Sequence, residues 1–306
     1  MGTLDGRVAI ITGAGRGIGA EIARLFAAEG ARLVLNDLGA APDGSGADPG
    51  PANEVAEEIV AAGGQAVVDG GDVSDTATGQ RLVELAVQNY GQLDVVVPAA
   101  GILRDRMIFN LPEQDWDAVI KVHLRGHYSV IRPASAYWRE QRNPGGNYRI
   151  INWTSDSALQ GSPGQPNYAA AKMGIIGLTM SLANSLGRYG VTANAIAPAA
   201  ATRLTATVPT DKQISGAPER ATNEMSPANI APIVAYLAST ESGWLTGRVL
   251  GAGGYKVNLW NYPEVIESVS SDGAWNLADL AAKVEKAFRP RADGPPPSIF
   301  TGQVPS

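Results

Sequence analysis

The chain of 306 residues contains no cysteine, which excludes disulfide bridges, thiolate nucleophiles and cysteine-ligated metal centres. It also lacks an excess of basic residues. The net charge of −6 disfavours nucleic acid as a partner, because binding a run of phosphates needs a basic surface. No apolar stretch approaches the roughly 20 residues of a membrane-spanning helix, so we expect no membrane partner. Neither a signal peptide nor a C-terminal peroxisomal Ser-Lys-Leu address is present, and we expect a cytoplasmic protein.

Short β-branched runs alternate with longer helical patterns along most of the chain, and a hydrophobic content of 44% is enough for a proper core. The predicted strands are Arg7 to Thr12, Arg32 to Asn36, Gln65 to Asp69, Leu93 to Pro98, Arg149 to Trp153, Thr192 to Ala197 and Arg248 to Gly251. The predicted helices are Ile18 to Glu29, Ala52 to Ala62, Thr76 to Tyr90, Gln114 to Arg139, Tyr168 to Tyr189 and Pro227 to Ser239. This order predicts an α/β fold in which a doubly wound, seven-stranded parallel sheet carries helices on both faces.

Two segments interrupt the alternation. The stretch from Gly39 to Asn53 is rich in Gly, Pro and Asp and is typical of a surface loop. The segment 256–306 holds one amphipathic pattern, Asn276 to Phe288, followed by a proline-rich run, and it is too short for a core of its own. We therefore predict a single domain over residues 1–255 with a C-terminal extension.

A glycine cluster, Thr12-Gly13-Ala14-Gly15-Arg16-Gly17-Ile18-Gly19, joins the first predicted strand to the first helix. In this position the free N–H groups of the helix N-terminus can bind the pyrophosphate of a dinucleotide. Taken alone, such a cluster is weak evidence, because glycine also serves tight turns that bind nothing. Asp37 strengthens the interpretation: it follows the second strand at the expected distance, where a carboxylate can accept hydrogen bonds from the adenosine ribose.

The carboxylate of Asp37 would repel the extra phosphate of NADP, so the sequence favours NAD as the cofactor. Arg16 argues weakly for NADP, because its guanidinium could reach a 2′-phosphate, although it could equally be a solvated loop residue. Asp72 and Val73, after the third strand, are candidates for contact with the adenine. For Asp72, a role as the N-terminal cap of the following helix is an equally good interpretation.

Tyr168 and Lys172 are four residues apart, which places a phenol and an ammonium on one face of a helix. A free phenol has a pKa near 10 and is a poor base, and a neighbouring ammonium would lower that pKa toward neutrality. Ser155, at the end of the fifth strand, supplies a hydroxyl that can hold a substrate oxygen. Together these three residues predict general acid–base chemistry at a carbonyl or secondary alcohol.

In their order along the chain, these motifs resemble the short-chain dehydrogenase/reductase family over about residues 7–254. The resemblance implies a Rossmann-type fold, Tyr168 as the catalytic acid–base, Lys172 as a ligand of the nicotinamide ribose and Ser155 as the group that orients the carbonyl. It further implies that several later residues border the cofactor, namely Ala100, Gly101, Pro198, Ala199 and Thr202. Association into a homodimer or homotetramer, through the helices at Gln114 to Arg139 and Tyr168 to Tyr189, is a family expectation.

Three positions depart from the family pattern: Ala99 replaces Asn in the turn after the fourth strand, Ala199 replaces Gly, and His123 stands where the family has its catalytic Asn. An imidazole at position 123 could anchor a water in a proton path, or it could only pack within its helix. His127 follows one helical turn later, a spacing that can chelate zinc. Because no cysteine or motif glutamate accompanies the pair, we expect no metal site.

Several local strings resemble one branch of the family, the 3-hydroxyacyl-CoA dehydrogenase region of the peroxisomal multifunctional β-oxidation enzyme, also called a 17β-hydroxysteroid dehydrogenase. The strings are Leu35 to Gly39, Val122 to Gly126, Ile196 to Pro198 and Thr202 to Thr205. This resemblance implies an NAD-dependent oxidation of a hydroxyacyl-CoA or steroid alcohol under a substrate lid at Ala199 to Met225. Two alternatives stay open: an NADPH-dependent 3-oxoacyl carrier-protein reductase, and a non-catalytic NAD-binding redox sensor.

Overall fold

The computed structural model describes residues 2–202, 223–261, 263–294, 296 and 298–300. In this part of the chain one sheet is built from β1 (Val8–Thr12), β2 (Arg32–Asn36), β3 (Gln65–Asp69), β4 (Val95–Pro98), β5 (Tyr148–Trp153), β6 (Val191–Ala199), β7 (Val249–Gly253) and β8 (Lys256–Trp260). Every residue of β1, β4 and β5 is buried. Such continuous burial is typical of parallel strands that are covered on both faces.

The strand order is β3-β2-β1-β4-β5-β6-β7-β8, and the first seven strands run parallel. The chain reverses its direction of winding between β1 and β4, which defines a doubly wound Rossmann-type sheet with a crevice at the carboxyl ends of these strands. The predicted seven strands are all present. The sheet differs from the prediction by its eighth strand, β8, which pairs antiparallel with β7 across the turn at Gly254 and Tyr255.

Two layers of helices cover the sheet. In the described part of the chain they are α1 (Gly17–Ala28), α2 (Gly50–Ala61), α3 (Thr76–Tyr90), α4 (Glu113–Ile120), α5 (Gly126–Gln141), α6 (Asp156–Gln160), α7 (Pro166–Leu186) and α8 (Ala231–Ala238). A further helix, α9 (Leu277–Ala292), follows the last strand in the sequence and is not one of these layers. Apolar residues of α1, α2 and α8 form one buried cluster with one face of the sheet. Those of α3, α5 and α7 form a second cluster with the other face. Burial of both faces is the main force that holds the strands in place.

The predicted helix from Gln114 to Arg139 is not continuous. A π-helical turn, Lys121–Arg125, separates α4 from α5 and contains the buried side chain of His123. A π-turn is rare, and it needs a tertiary contact to offset its poorer geometry. The imidazole of His123 supplies one, because it hydrogen-bonds to the backbone of Ile102 in the loop after β4.

The chain divides into two compact units, Met1–Trp260 and Asn261–Ser306. The sequence predicts a domain boundary after residue 255, whereas in the structure Lys256–Trp260 form β8 and belong to the first unit. The second unit contains α9, which begins at Asn276, whose side chain accepts a hydrogen bond from the N–H of Asp279. Among the described residues no helix is long and apolar enough to cross a membrane.

Candidate active site

A glycine-rich turn connects β1 to α1 at the carboxyl edge of the sheet. Gly13 has a positive φ of 68°, and a Cβ placed on it would lie 2.8 Å from Cα of Ala100, so only glycine fits between these two turns. The N-terminus of α1 has no side-chain cap and no acidic residue in its first turn. Its N–H groups and helix dipole are therefore available to an anion, as a dinucleotide pyrophosphate requires.

The carboxylate of Asp37 lies beside this turn, directly after β2. Its Oδ2 accepts a hydrogen bond of 2.8 Å from the N–H of Gly15, and its Oδ1 accepts one of 2.7 Å from the N–H of Gly39. The two backbone donors fix the orientation of the carboxylate. Each oxygen keeps a lone pair with which it could accept from a ribose hydroxyl. Arg16, next to Gly15, lies 3.8 Å from the carboxylate of Asp48.

Asp72 and Val73 follow β3 at the same edge. The Oδ1 of Asp72 accepts hydrogen bonds from the N–H and the hydroxyl of Ser74, while the side chain of Asp75 caps α3 by accepting from the N–H of Ala77. The alternative interpretation of Asp72 as the helix cap is therefore wrong, because Asp75 has that role. The buried Val73 accepts a hydrogen bond from the hydroxyl of Ser129 through its carbonyl.

The remaining predicted cofactor residues border the glycine turn or lie further along the carboxyl edge. The N–H of Ala100 donates to the hydroxyl of Thr12 at 3.2 Å. The side chain of Thr202 faces Gly17, whose added Cβ would lie 3.6 Å from the methyl carbon of Thr202. Pro198 and Ala199 end β6 and pair with β7. Gly101 lies under His123: a Cβ on Gly101 would come within 2.5 Å of the imidazole carbon Cε1. A side chain at position 101 would therefore displace the imidazole.

Ser155 follows the end of β5, and Tyr168 lies in the first turn of α7 close to it. The hydroxyl of Ser155 caps α6 by accepting from the N–H of Ser157, and it lies near enough to the phenol of Tyr168 to lower its pKa. The pKa of Tyr168 is raised to about 12: burial is the main cause, the carboxylates of Asp105 and Asp156 also raise it, and the interaction with Ser155 lowers it. The phenol is therefore protonated at neutral pH in the protein alone.

Lys172 is buried one turn along α7 from Tyr168. Its Nζ donates to the carbonyl of Trp153 at 2.7 Å and lies 5.5 Å from the centre of the Tyr168 ring. Burial lowers the pKa of Lys172 to about 7. The sequence-based expectation that Lys172 lowers the pKa of Tyr168 is therefore not met in the protein alone, because the ammonium bonds to a backbone carbonyl and burial of the phenol dominates.

His123 forms one wall of the site. Its ring is perpendicular to that of Tyr168 at a centroid distance of 5.0 Å. Its Nε2 is 2.8 Å from the carbonyl oxygen and 3.2 Å from the nitrogen of Ile102. One nitrogen cannot both donate and accept, and the shorter contact assigns the proton to Nε2. Burial and the nearby charge of Lys172 lower the pKa of His123 far below its usual value, so the ring is neutral. Its Nδ1 is buried without a hydrogen-bond partner among the described residues.

His127 has both ring nitrogens engaged in the protein. Nδ1 donates to the carbonyl of His123 at 2.6 Å, and Nε2 accepts from the N–H of Trp153 at 3.1 Å. Burial lowers the pKa of His127 to about 3. The side chain thus joins the π-turn to β5, the strand that leads to Ser155. Within the described ranges, no group of three or more His, Asp and Glu side chains could hold a metal ion.

Three residues of the site were not singled out by the sequence: Asp105, Asp156 and Gln165. Gln165 donates to Asp105 at 2.8 Å and accepts from the hydroxyl of Ser157. Burial raises the pKa of Asp105, and it raises the pKa of Asp156 to about 6. Asp156 adjoins Ser155, and this adjacency is the one sequence signal that could have pointed to it. Asp105 lies four residues after Gly101, outside the turn that the sequence singled out, and the loop after β4 brings it to Tyr168.

A phenol, a serine hydroxyl and a buried ammonium at the carboxyl ends of a doubly wound sheet, beside a turn that fits a dinucleotide, define a nicotinamide-dependent oxidoreductase site. The family model described as short chain dehydrogenase matches residues 7–213. The chain therefore belongs to the short chain dehydrogenase family and is an oxidoreductase of CH–OH groups that uses a nicotinamide cofactor.

Several known proteins are similar to this chain over most of its length. The hydroxyacyl-CoA dehydrogenase ChsB1 of Mycobacterium tuberculosis is 41% identical, with 94% of this chain and 90% of the relative covered. The peroxisomal multifunctional enzyme type 2 of Drosophila melanogaster is 40% identical over 90% of this chain, which spans 46% of that longer enzyme. A crystal structure of a short chain dehydrogenase from Mycobacterium avium has a TM-score of 0.84 at 43% identity, and it covers 97% of this chain and 99% of its own.

Proposed function

We propose that the protein oxidises the hydroxyl of a 3-hydroxyacyl-CoA, or of a related hydroxysteroid, with NAD as the hydride acceptor and Tyr168 as the general base. The observation that carries the proposal is the placement of Lys172 one helical turn from Tyr168, with its Nζ 5.5 Å from the centre of the phenol ring, beside a Ser155 hydroxyl that lowers the pKa of the phenol. The names of relatives at about 40% identity, a hydroxyacyl-CoA dehydrogenase and a peroxisomal multifunctional enzyme, support the acyl-CoA substrate.

In this mechanism the hydroxyls of Ser155 and Tyr168 hold the substrate oxygen. Once the phenol has lost its proton, the oxygen of Tyr168 takes the hydroxyl proton of the substrate, and the hydrogen on the carbon that bears this hydroxyl leaves with its electron pair as a hydride. Bound NAD supplies the hydride acceptor and a positive charge that favours the phenolate. Lys172, fixed by the carbonyl of Trp153, supplies a second positive charge near the phenol when it is protonated, and it is the candidate ligand of the nicotinamide ribose. His123 packs against the ring of Tyr168 and restricts its orientation.

The choice of NAD over NADP follows from Asp37 in this proposal. Its carboxylate is held by two backbone N–H groups and cannot turn away from a 2′-phosphate without losing them. Asp37→Ser should therefore narrow the ratio of NADH to NADPH affinity by roughly tenfold, the effect of about 1.4 kcal/mol of charge repulsion. Fluorescence titration with both coenzymes measures the ratio, and an unchanged ratio would show that another residue reads the ribose.

A panel of coenzymes and substrates tests the reaction itself. Purified protein is offered NAD or NADP with 3-hydroxyacyl-CoA of several chain lengths and with hydroxysteroids, or NADH or NADPH with a 3-oxoacyl carrier protein. Absorbance of the reduced coenzyme is followed. We expect turnover with NAD and 3-hydroxyacyl-CoA. Turnover confined to NADPH with a 3-oxoacyl carrier protein would favour the second candidate function, a reductase, for which a 36% identical relative from Thermotoga maritima with that name is the supporting observation. A lack of turnover together with tight NAD binding would favour a non-catalytic redox sensor.

We also propose that the protein self-associates through α4, α5 and α7. These helices carry large apolar side chains that are exposed in the single chain: Trp116, Tyr128, Met173 and Met180. An apolar surface of this kind is typical of a contact between subunits. Light scattering should give the mass of a dimer or tetramer, and a monomer at micromolar concentration would contradict the proposal.

The substrate lid predicted at Ala199 to Met225 lies largely outside the described residues, since 203–222 are not among them.

A further inference from the structure

The loop between β2 and α2, which the sequence predicts as a plain surface loop, carries a second carboxylate to the adenosine end of the cofactor site. We define the adenosine corner by four residues: Gly15, Arg16, Asp37 and Asp48. Asp37 lies on one side, bonded to the N–H of Gly15. On the other side, the Oδ2 of Asp48 lies 3.8 Å from Nη2 of Arg16.

The position of Asp48 is fixed by the backbone around it. Its N–H donates to the carbonyl of Leu38 at 3.0 Å, which closes the loop onto the residue that follows Asp37. Its Oδ1 accepts from the N–H of Gly50 at 2.9 Å, where α2 begins. With one oxygen used in this way, the other oxygen is the one that lies near the guanidinium of Arg16. The fold therefore brings the two side chains together, although 32 positions separate them in the sequence.

The charges in the corner oppose a second phosphate. Arg16 supplies one positive charge, and Asp37 and Asp48 supply two negative ones. A 2′-phosphate on the ribose held by Asp37 would need Arg16 as its counter-ion, because guanidinium binds phosphate well. That guanidinium already lies near a carboxylate, so a phosphate would have to compete with Asp48 for it.

We propose that Asp48 is a second determinant of coenzyme choice, which acts through Arg16 by withholding its guanidinium from the 2′-phosphate of NADP. The proposal rests on the NAD preference proposed above and adds to it a positioning residue outside the glycine motif and outside β2. It also removes the conflict in the sequence, where Arg16 argues for NADP and Asp37 for NAD.

The size of the effect is limited by solvent. The side chains of Arg16 and Asp48 are 34% and 63% exposed, and exposed ion pairs are weak and screened by salt. Loss of the Asp48 charge should therefore tighten NADPH binding by about two- to fivefold, with a smaller gain at high salt. Binding of NADH, which has no 2′-phosphate, should change less than about twofold.

The test is a fluorescence titration of the full chain with NADH and NADPH at low and high salt. Asp48→Asn removes the charge and keeps an oxygen that can accept from the N–H of Gly50. We expect this variant to bind NADPH more tightly and NADH as before. In the double variant Asp48→Asn with Arg16→Gln, the gain in NADPH affinity should disappear, because the gain requires the guanidinium. Asp43→Asn is the matched control: this loop carboxylate bonds to Ser45 instead, and its replacement should change neither affinity.

Three results would overturn the inference: unchanged NADPH affinity in Asp48→Asn, an equal loss of affinity for both coenzymes, or a gain that survives the removal of Arg16. An equal loss would show that Asp48 only shapes the loop. Failure of the proposed NAD preference has a different signature, since the wild-type protein would then bind NADPH as tightly as NADH. The effect of Asp48→Asn is measured relative to the ratio of NADH to NADPH affinity in the wild-type protein. Failure of the Asp48 proposal and failure of the NAD preference are therefore distinguishable.

Discussion

The acidity of the Tyr168 phenol is set by neighbours that act in opposite directions. The pKa of Tyr168 is raised to about 12: burial is the main cause, the charges of Asp105 and Asp156 also raise it, and the interaction with Ser155 lowers it. A general base with so high a pKa works only when a nearby positive charge stabilises the phenolate. The balance of charge around Tyr168, more than the phenol itself, therefore controls the pH at which oxidation begins.

Asp156→Asn should shift the pH dependence of oxidation. The carboxyl of Asp156 titrates at about 6, so above that pH it carries a negative charge that raises the pKa of Tyr168. Removing the charge lowers the pKa of Tyr168, and the rise of kcat/KM with pH should move to lower pH by roughly half a unit to one unit. Asp117→Asn, at an exposed position of α4, is the control. Identical profiles for wild type and Asp156→Asn would contradict this account of the phenol.

At the residue scale, local spacing predicted much of the site and tertiary contacts decided the rest. The four-residue spacing of Tyr168 and Lys172 correctly places both on one helix, α7. It could not reveal that Nζ of Lys172 bonds to the carbonyl of Trp153, because that bond depends on how α7 packs against β5. One of the two carboxylates that raise the pKa of Tyr168 is Asp105, which lies on the loop after β4 and in no motif of its own. Long-range electrostatics of this kind leaves no local pattern in a sequence.

The π-turn between α4 and α5 is the element on which the site depends most. It points His123 at Ile102 and at the ring of Tyr168, and His127 ties the same turn to β5. The sequence predicts one continuous helix here, Gln114 to Arg139, and the structure interrupts it with the π-turn at Lys121–Arg125. The extra residue in the turn is stabilised by hydrogen bonds to other elements, which a periodicity cannot show.

His127→Gln should weaken the fold through this turn. The substitution leaves at least one of the two hydrogen bonds unmade. The free energy of unfolding, measured by urea denaturation, should therefore fall by about 1–3 kcal/mol. The pH dependence is a further readout. Because the pKa of His127 falls from 6.5 to about 3 on folding, the unfolded chain takes up a proton first, and stability is lost as pH falls below 6.5. The variant should lack that part of the acid destabilisation, and an unchanged acid profile would contradict a buried neutral His127.

β8 shows a different limit at the element scale. Lys256–Trp260 is an alternating five-residue run at the end of the regular pattern, and the sequence analysis places it in the C-terminal extension. These residues form a strand because a tight turn brings them to the free edge of β7, with which they pair. Parallel strands buried on both faces, such as β1 and β4, are predicted well because a short, continuous apolar run is typical of such strands. An exposed edge strand carries no such signal.

At the scale of the whole molecule, Lys172, a proposed catalytic residue, lowers the stability of the fold. Lys172 is a buried cation whose pKa falls from 10.5 to about 7, because burial disfavours its charged form. The unfolded chain keeps the proton up to pH 10.5, whereas the folded chain releases it above about 7. The unfolded chain therefore binds more protons between these values, and the contribution of Lys172 to stability rises with pH in that window.

Lys172→Met should stabilise the protein while it removes activity. The substitution replaces a desolvated cation by an apolar side chain of similar length, and we expect a gain of roughly 1–2 kcal/mol in the free energy of unfolding at pH 7, reduced by the carbonyl of Trp153 that loses its donor. The difference from wild type should shrink as pH rises toward 10.5. Met173→Leu, at an exposed position of the same helix, is the control. A variant that is less stable than wild type at pH 7 would show that the ammonium is well solvated or well paired.

The central claim is that the oxygen of Tyr168 carries the proton in NAD-dependent oxidation, and Tyr168→Phe tests it most directly. The measurement combines steady-state turnover of NAD with a 3-hydroxyacyl-CoA and fluorescence titration with NADH, for wild type and variant. Loss of one acid–base group should lower turnover by roughly 10²–10⁴-fold, while NADH affinity stays within about twofold, because the phenol oxygen alone is removed. Turnover by Tyr168→Phe at the wild-type rate would contradict the account.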